Sequence, residues 1–413
     1  MRLFAAALIA ALPLVAAAQE APAPAIEKIP RAGTPAVDPI SAEIGARGIG
    51  ATLARLAALP DPTPDERFAR AGLAFLAGVE GAARLRAQIS SPRDISLFLP
   101  PLSPVAPPGL ERPLAPGALD AATRDFVAAM ERCSAALADL PEGADPGFVL
   151  NFNDLWFDID GDGQRGLREA ATPLLRRMAG LGRARGSGDT PPIVRFDAAD
   201  AAWLSAYAHV LAGIGEMALA FDLEPAIARA RGTRERLQAL KTQGGTSRFD
   251  AYDGYLDLFP ILLETLSHQP DPAHTRAAAA HWRAMIADNR RFWALVAQET
   301  DNQAEWIPND RQDSMLGFAF PPGLGTRWQA VLDDGAALLE GRRSIPFWRA
   351  KSVGIDLAAW LDAPAPLDLP GVVQGWALAP YFTAAPPIDA ANWRQFVTLV
   401  GNRNGAFMAI TLN

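Results

Sequence analysis

Within residues 158–169, acidic side chains recur at alternate positions: Asp158, Asp160 and Asp162, followed by Gly163, Gln164 and, at the twelfth place, Glu169. Carboxylates two residues apart with a glycine turn behind them can converge on one point. Such an oxygen-rich set suits a hard cation that takes six to eight oxygens, calcium above all. The candidate ligands are the side chains of Asp158, Asp160, Asp162 and Glu169 and the backbone carbonyl of Gln164. Gly163 stands where the chain must turn sharply and a residue without Cβ tolerates the backbone angles. All the donors come from one compact loop, which points to a structural rather than a catalytic ion.

The run Asp158-x-Asp160-x-Asp162-Gly163-x5-Glu169 resembles the loop of the EF-hand family. The resemblance covers these twelve residues and their short flanks, and it implies a bound calcium ion. Position eight is Arg165, with the apolar Leu167 two places on, and the chain contains no second loop of this pattern. Residues Phe152 to Phe157 enter the loop as a short helix or an extended segment. Leu167 onward is expected to form the exiting helix, with Leu174, Leu175 and Met178 on its apolar side.

Three further groupings carry ionisable side chains. From Asp197, a helix-capping residue with Asp200 three places on, the residues Trp203, Tyr207, Val210, Ile214, Met217 and Phe221 recur at helical spacing and predict a core face. Another face carries His209, Ala212, Gly213, Glu216 and Ala220, where small residues allow a close approach. Seven residues of helix span ~10.5 Å, so His209 and Glu216 cannot meet each other directly. His281 and Asp288 repeat the spacing on a later helix. The second grouping is the polar loop bearing Glu299, Asp301 and Glu305 beside Trp306. Paired carboxylates with a Trp stacking face are the equipment of a glycan hydrolase, although a hydrogen-bonded loop after a helix end uses the same residue types. Asp250, Asp253 and Asp257 would share one helix face, which reads as solvated. Cys133, the one cysteine, cannot form an internal disulfide and reads as a small buried apolar residue.

The elements that position these groups are expected to be helices. Residues 1–18 read as a secretory signal peptide, with cleavage after Ala18 and export to the periplasm or beyond. Residues 19–40 are Pro- and Ala-rich and read as a disordered linker. A helical domain follows over 41–413, with 183–195 as the candidate division between two lobes. Helical spacing marks Ser41 to Leu59, Phe68 to Val79, Leu119 to Leu140, Pro272 to Glu299, Trp328 to Leu339 and Ile355 to Leu361. Prolines at 92, 100, 101, 104, 107, 108, 113 and 116 impose a long irregular excursion, and the alternation from Ala406 to Asn413 suits a strand or an extended arm. The fold class implied is all-α or predominantly α, an irregular helical array with long Pro-rich connections.

A formal charge of -8 opposes nucleic-acid binding, which calls for a basic patch. No stretch beyond the leader carries the ~18 uninterrupted apolar residues of a membrane span. Zinc-ligand spacings, nucleophile elbows and nucleotide-binding glycine patterns do not occur. The expectation is an exported calcium-binding helical protein of unassigned role, a binding or scaffold protein of the cell envelope whose partner is an envelope protein or glycan. The second reading is a hydrolase of glycan or another envelope polymer, acting through carboxylates near 299–305.

Overall fold

The computed structural model describes residues 27–88, 109–110, 112, 115–172, 192–240, 253–317, 320 and 323–400. Residues 1–18, expected to be a leader, most of the Pro-rich excursion, Leu174, Leu175 and Met178, Asp250 and residues 406–413, expected to form a strand or arm, lie outside them.

The fold is predominantly α, as the periodicities imply. Helix α1 (Pro39–Ala57) starts where Asp38 accepts the amide of Ile40 at 2.7 Å and Pro39 presets the first turn. It kinks at Gly48, whose φ of 78° lies in the left-handed region. A Cβ there would stand 2.9 Å from the Trp156 indole, so the kink is shaped to receive that ring, which donates from Nε1 to the Ile44 carbonyl at 3.0 Å. Prolines break the chain before α2 (Pro64–Gln88), giving the expected hairpin. Helices α3 (Ala118–Ala138) and α4 (Ala198–Phe221) complete the first layers.

Asp197 caps α4 as its sequence indicates. Its carboxylate accepts the amides of Ala199 and Asp200, while Asp200 accepts the amide of Asp197, a reciprocal capping box. Asp271 caps α7 (Pro272–Val296) by accepting the amide of Ala273 at 2.8 Å, after α5 (Glu224–Leu240) and α6 (Asp253–Ser267). Helices α2, α3, α4 and α7 pack into the central bundle, and small residues set their separation. Gly78 of α2 faces Ala129 and Met130 of α3, and Gly215 of α4 faces Val127 of α3. Cys133 is fully buried in this core, and burial raises its thiol pKa.

Helix α4 is long and apolar enough to cross a membrane by length and composition alone. Most of that stretch is buried inside the protein, as in a core helix.

Strands β1 (Phe148–Asn151) and β2 (Ile193–Phe196) pair antiparallel with Phe148 opposite Phe196. A parallel bridge from Arg195 to Glu305 extends this ribbon. Phe68, Phe196, Trp203 and Trp306 gather beside it and help enclose a cavity of about 170 Å³ lined by apolar side chains. Helix α8 (Leu324–Leu339) leads to a small antiparallel sheet of β3 (Ile345–Pro346), β4 (Gly354–Ile355) and β5 (Phe382–Thr383). Helices α9 (Leu357–Asp362) and α10 (Leu369–Gln374) lie between β4 and β5, and α11 (Ala390–Val400) packs on α8.

Residues 27–38 have no helix or strand, yet they are tied down rather than free. The amides of Ile29, Ala32 and Asp38 donate to the carbonyls of Arg311, Asn302 and Val149, and Lys28 bonds the Gln312 carbonyl at 2.7 Å and pairs with Asp313. One hydrophobic cluster draws residues from both sides of 183–195.

Candidate functional site

The acidic loop hangs from the kink of α1. Trp156 and Ala170 form an antiparallel bridge across its neck, with Phe157 donating to the Glu169 carbonyl and Ala171 to that of Leu155. The entering segment is therefore a turn and an extended stretch. The exit through residue 171 is non-helical as well, and Leu167, expected to open the exiting helix, is fully solvent-exposed in a turn.

Inside this neck the three aspartates shape the loop by short side-chain turns. Asp158 accepts the amide of Gly161 at 2.9 Å, Asp160 that of Asp162 at 3.1 Å and Asp162 that of Gln164 at 2.7 Å. Gly161 and Gly163 take φ of 81° and 73°, so each acid is returned to the same side. One carboxylate oxygen from each of Asp158, Asp160 and Asp162 lies within 4.8 Å of the others. The sequence-predicted set thus converges in part.

Glu169 is placed differently. Its side chain is buried, and its two oxygens accept the amides of Ile159 at 2.7 Å, Asp160 at 3.4 Å and Gly166 at 2.7 Å. It braces the loop from inside. Arg84 of α2 donates to both the Asp158 carbonyl and its carboxylate, at 2.5 and 2.8 Å, and Glu80 accepts the Asp158 amide at 2.9 Å. Burial foremost raises the Glu80 carboxyl pKa above its ordinary value.

Glu299 and Glu305 meet as the loop chemistry suggests, but their third partner is Asp197, the α4 cap, and not Asp301. Oxygens of Asp197, Glu299 and Glu305 lie within 4.8 Å of one another. Ala304, at φ 63°, turns the chain so that its carbonyl accepts the Arg195 amide at 3.0 Å and Glu305 follows inward. Burial, with Asp197 adding repulsion, pushes the Glu299 carboxyl up to about 9. Burial likewise carries Glu305 to about 7. Gln312 donates to Glu299 at 2.9 Å, and the Gln303 amide to Glu305 at 2.6 Å. Asp301 is exposed. Trp306 is buried among Phe152, Phe196 and Trp203, so it offers no open stacking face.

The α4 stripe and its apparent echo on α7 face each other. The helices run antiparallel, with His209 Nδ1 3.0 Å from His281 Nδ1, His274 Nδ1 2.5 Å from Glu216 Oε2, and Ser205 donating to Asp288 at 2.5 Å. Glu131 of α3 adds a carboxylate, its Oε1 3.6 Å from His281 Nε2. Sequence reasoning singled out neither Glu131 nor His274. The residue numbers 209 and 281, and 216 and 274, share one sum, which is the register an antiparallel pair would show.

Searches against protein-family models, curated proteins and solved structures return no match to this chain.

Proposed function

We propose that this is an exported calcium-binding helical protein, with the ion held by the 158–169 loop and serving to fix structure. The observation that carries this reading is the convergence of the Asp158, Asp160 and Asp162 carboxylates to within 4.8 Å on a loop whose backbone is already turned around them. The Gln164 carbonyl and water would complete the oxygen set, and Glu169 would join by exchanging an amide for the ion. For a site of the extracellular class, Kd is expected to be of order 10⁻⁴–10⁻³ M. The leader-like start supports export to the periplasm or outside, and the acidic balance suits a protein or glycan partner in the envelope rather than a nucleic acid. Calorimetric titration of tag-free protein should give one calcium per chain, abolished in Asp160→Ala and Asp162→Ala. Heats that match in wild type and both variants would refute the assignment.

A second reading, a hydrolase of envelope glycan, draws on the Glu299 and Glu305 pair. A carboxyl protonated at neutral pH beside one that titrates there has the character of a general acid and its base partner. Release of reducing ends from cell-wall glycan, lost in both Glu299→Gln and Glu305→Gln, would favour it. Equal release by the variants would remove it.

A further inference from the structure

The seam between α3, α4 and α7 contains three of the four histidines in the chain, His209, His274 and His281. We propose that Glu131, Glu216 and His281 form a second cation site, separate from the acidic loop, for a divalent transition metal of zinc's class.

Each of these residues comes from a different helix, and one ligand atom from each lies within 4.8 Å of the others. Ligands 2.0–2.2 Å from a tetrahedral ion stand ~3.4 Å apart. His281 Nε2 and Glu131 Oε1, at 3.6 Å, are already near that separation. An imidazole nitrogen with two carboxylates suits zinc and its neighbours, whereas calcium takes oxygen donors.

The hydrogen-bond polarity of the seam supplies an independent argument. Asp288 Oδ2, which accepts from Ser205, lies 3.9 Å from His209 Nε2, beyond hydrogen-bond length, and its charge favours the His209 proton on that nitrogen. His209 Nδ1 is then the acceptor in the 3.0 Å contact, and His281 Nδ1 must donate. That tautomer leaves the Nε2 lone pair of His281 on the side of Glu131. A cation between that lone pair and the carboxylate, whether a metal ion or a proton on the ring, removes their repulsion, and the metal is the one the test below addresses. His209 would then orient the ligating imidazole and His274 the Glu216 carboxylate, the usual supporting contacts of a metal ligand.

Charge points the same way. Among the described residues no Lys or Arg forms an ion pair with Glu131, Glu216 or Asp288. The Glu131 side chain is 54% exposed, so an ion can enter from solvent and keep water as a further ligand.

The test is calorimetric zinc titration of the tag-free full chain in millimolar calcium, with cobalt(II) absorption as a second readout. Expected are one zinc per chain, binding at least ~10-fold weaker in Glu131→Gln, loss in His281→Gln, and cobalt d–d bands displaced by zinc. Because Glu131 is half-exposed, its variant should fold even where the buried positions fail. Asp160→Ala should bind zinc as wild type does, which separates this site from the calcium loop. Absence of zinc binding at ~100 μM, a strength far below that of dedicated zinc sites, or equal binding by Glu131→Gln and His281→Gln, would overturn the proposal and leave a hydrogen-bonded His–Glu ladder.

Discussion

Gly213 of α4 lies so close to Trp282 of α7 that a Cβ on residue 213 would collide with the indole nitrogen. This approach sets the two helices at the spacing where His209 reaches His281 and Glu216 reaches His274.

Gly213→Ala should therefore cost about 1–3 kcal/mol in denaturant unfolding, the usual penalty of overpacking a filled core. Gly232→Ala is the control. No atom lies within 4 Å of its added Cβ, and it sits inside α5. It should stabilise by roughly 0.5–1 kcal/mol, the helix preference of Ala over Gly. Similar effects of the two substitutions would contradict the packing described.

Glu169 and Asp160 should behave differently, although both belong to the candidate ligand set. Glu169→Ala strips acceptors from the amides of Ile159 and Gly166, so it should lower stability by roughly 1–3 kcal/mol even in chelator. Asp160→Ala, at an exposed position with one local turn bond, should leave the chelator-treated protein nearly unchanged. Unfolding midpoints in chelator decide this, and an unchanged midpoint for Glu169→Ala would refute its bracing role.

The buried acids give a pH dependence with a definite sign. Burial raises the Glu299 carboxyl to about 9 and Glu305 to about 7. Unfolded, both titrate near 4.5. Between those values the native state binds more protons than the unfolded one, so stability falls as pH rises. The contribution is full below about 4.5 and is lost through about 7 for Glu305 and about 9 for Glu299. Glu299→Gln, neutral at every pH, should flatten the decline between pH ~7 and ~9. An unaltered slope in the variant would show that Glu299 is ionised in the folded protein at neutral pH.

Much of this was legible in the residues themselves. The Asp197 and Asp200 cap, the α1–α2 hairpin and the buried Cys133 follow from local spacing, and each is in place. Of the α4 stripe, Trp203, Tyr207 and Phe221 are buried, whereas Val210, Ile214 and Met217 are only partly so, because neighbours cover that helix on nearly every side. The tertiary pairings were less accessible. His209 and His281 are 72 residues apart in sequence, and spacing within one helix cannot say which face meets which. Asp197 read as a helix cap because that role is local. Its place beside Glu299 and Glu305 depends on the Arg195–Glu305 bridge. Trp306 read as a stacking platform, but its neighbours are the rings of Phe152, Phe196 and Trp203, brought from distant parts of the chain. Residues 27–38 looked unstructured by composition, yet their backbone amides find carbonyls on the 302–313 loop and at Val149.

Thermal unfolding of the tag-free protein in excess chelator and again with added calcium, alongside Asp160→Ala, tests the central claim most directly. A ligand bound only by the folded state adds RT ln(1 + [L]/Kd), about 2.7 kcal/mol at a hundredfold excess over Kd. The account predicts a calcium-dependent rise in Tm that disappears in Asp160→Ala. An identical Tm for wild type in chelator and in ~10 mM calcium, well above the expected Kd range, would make the loop an acidic turn and contradict the calcium assignment.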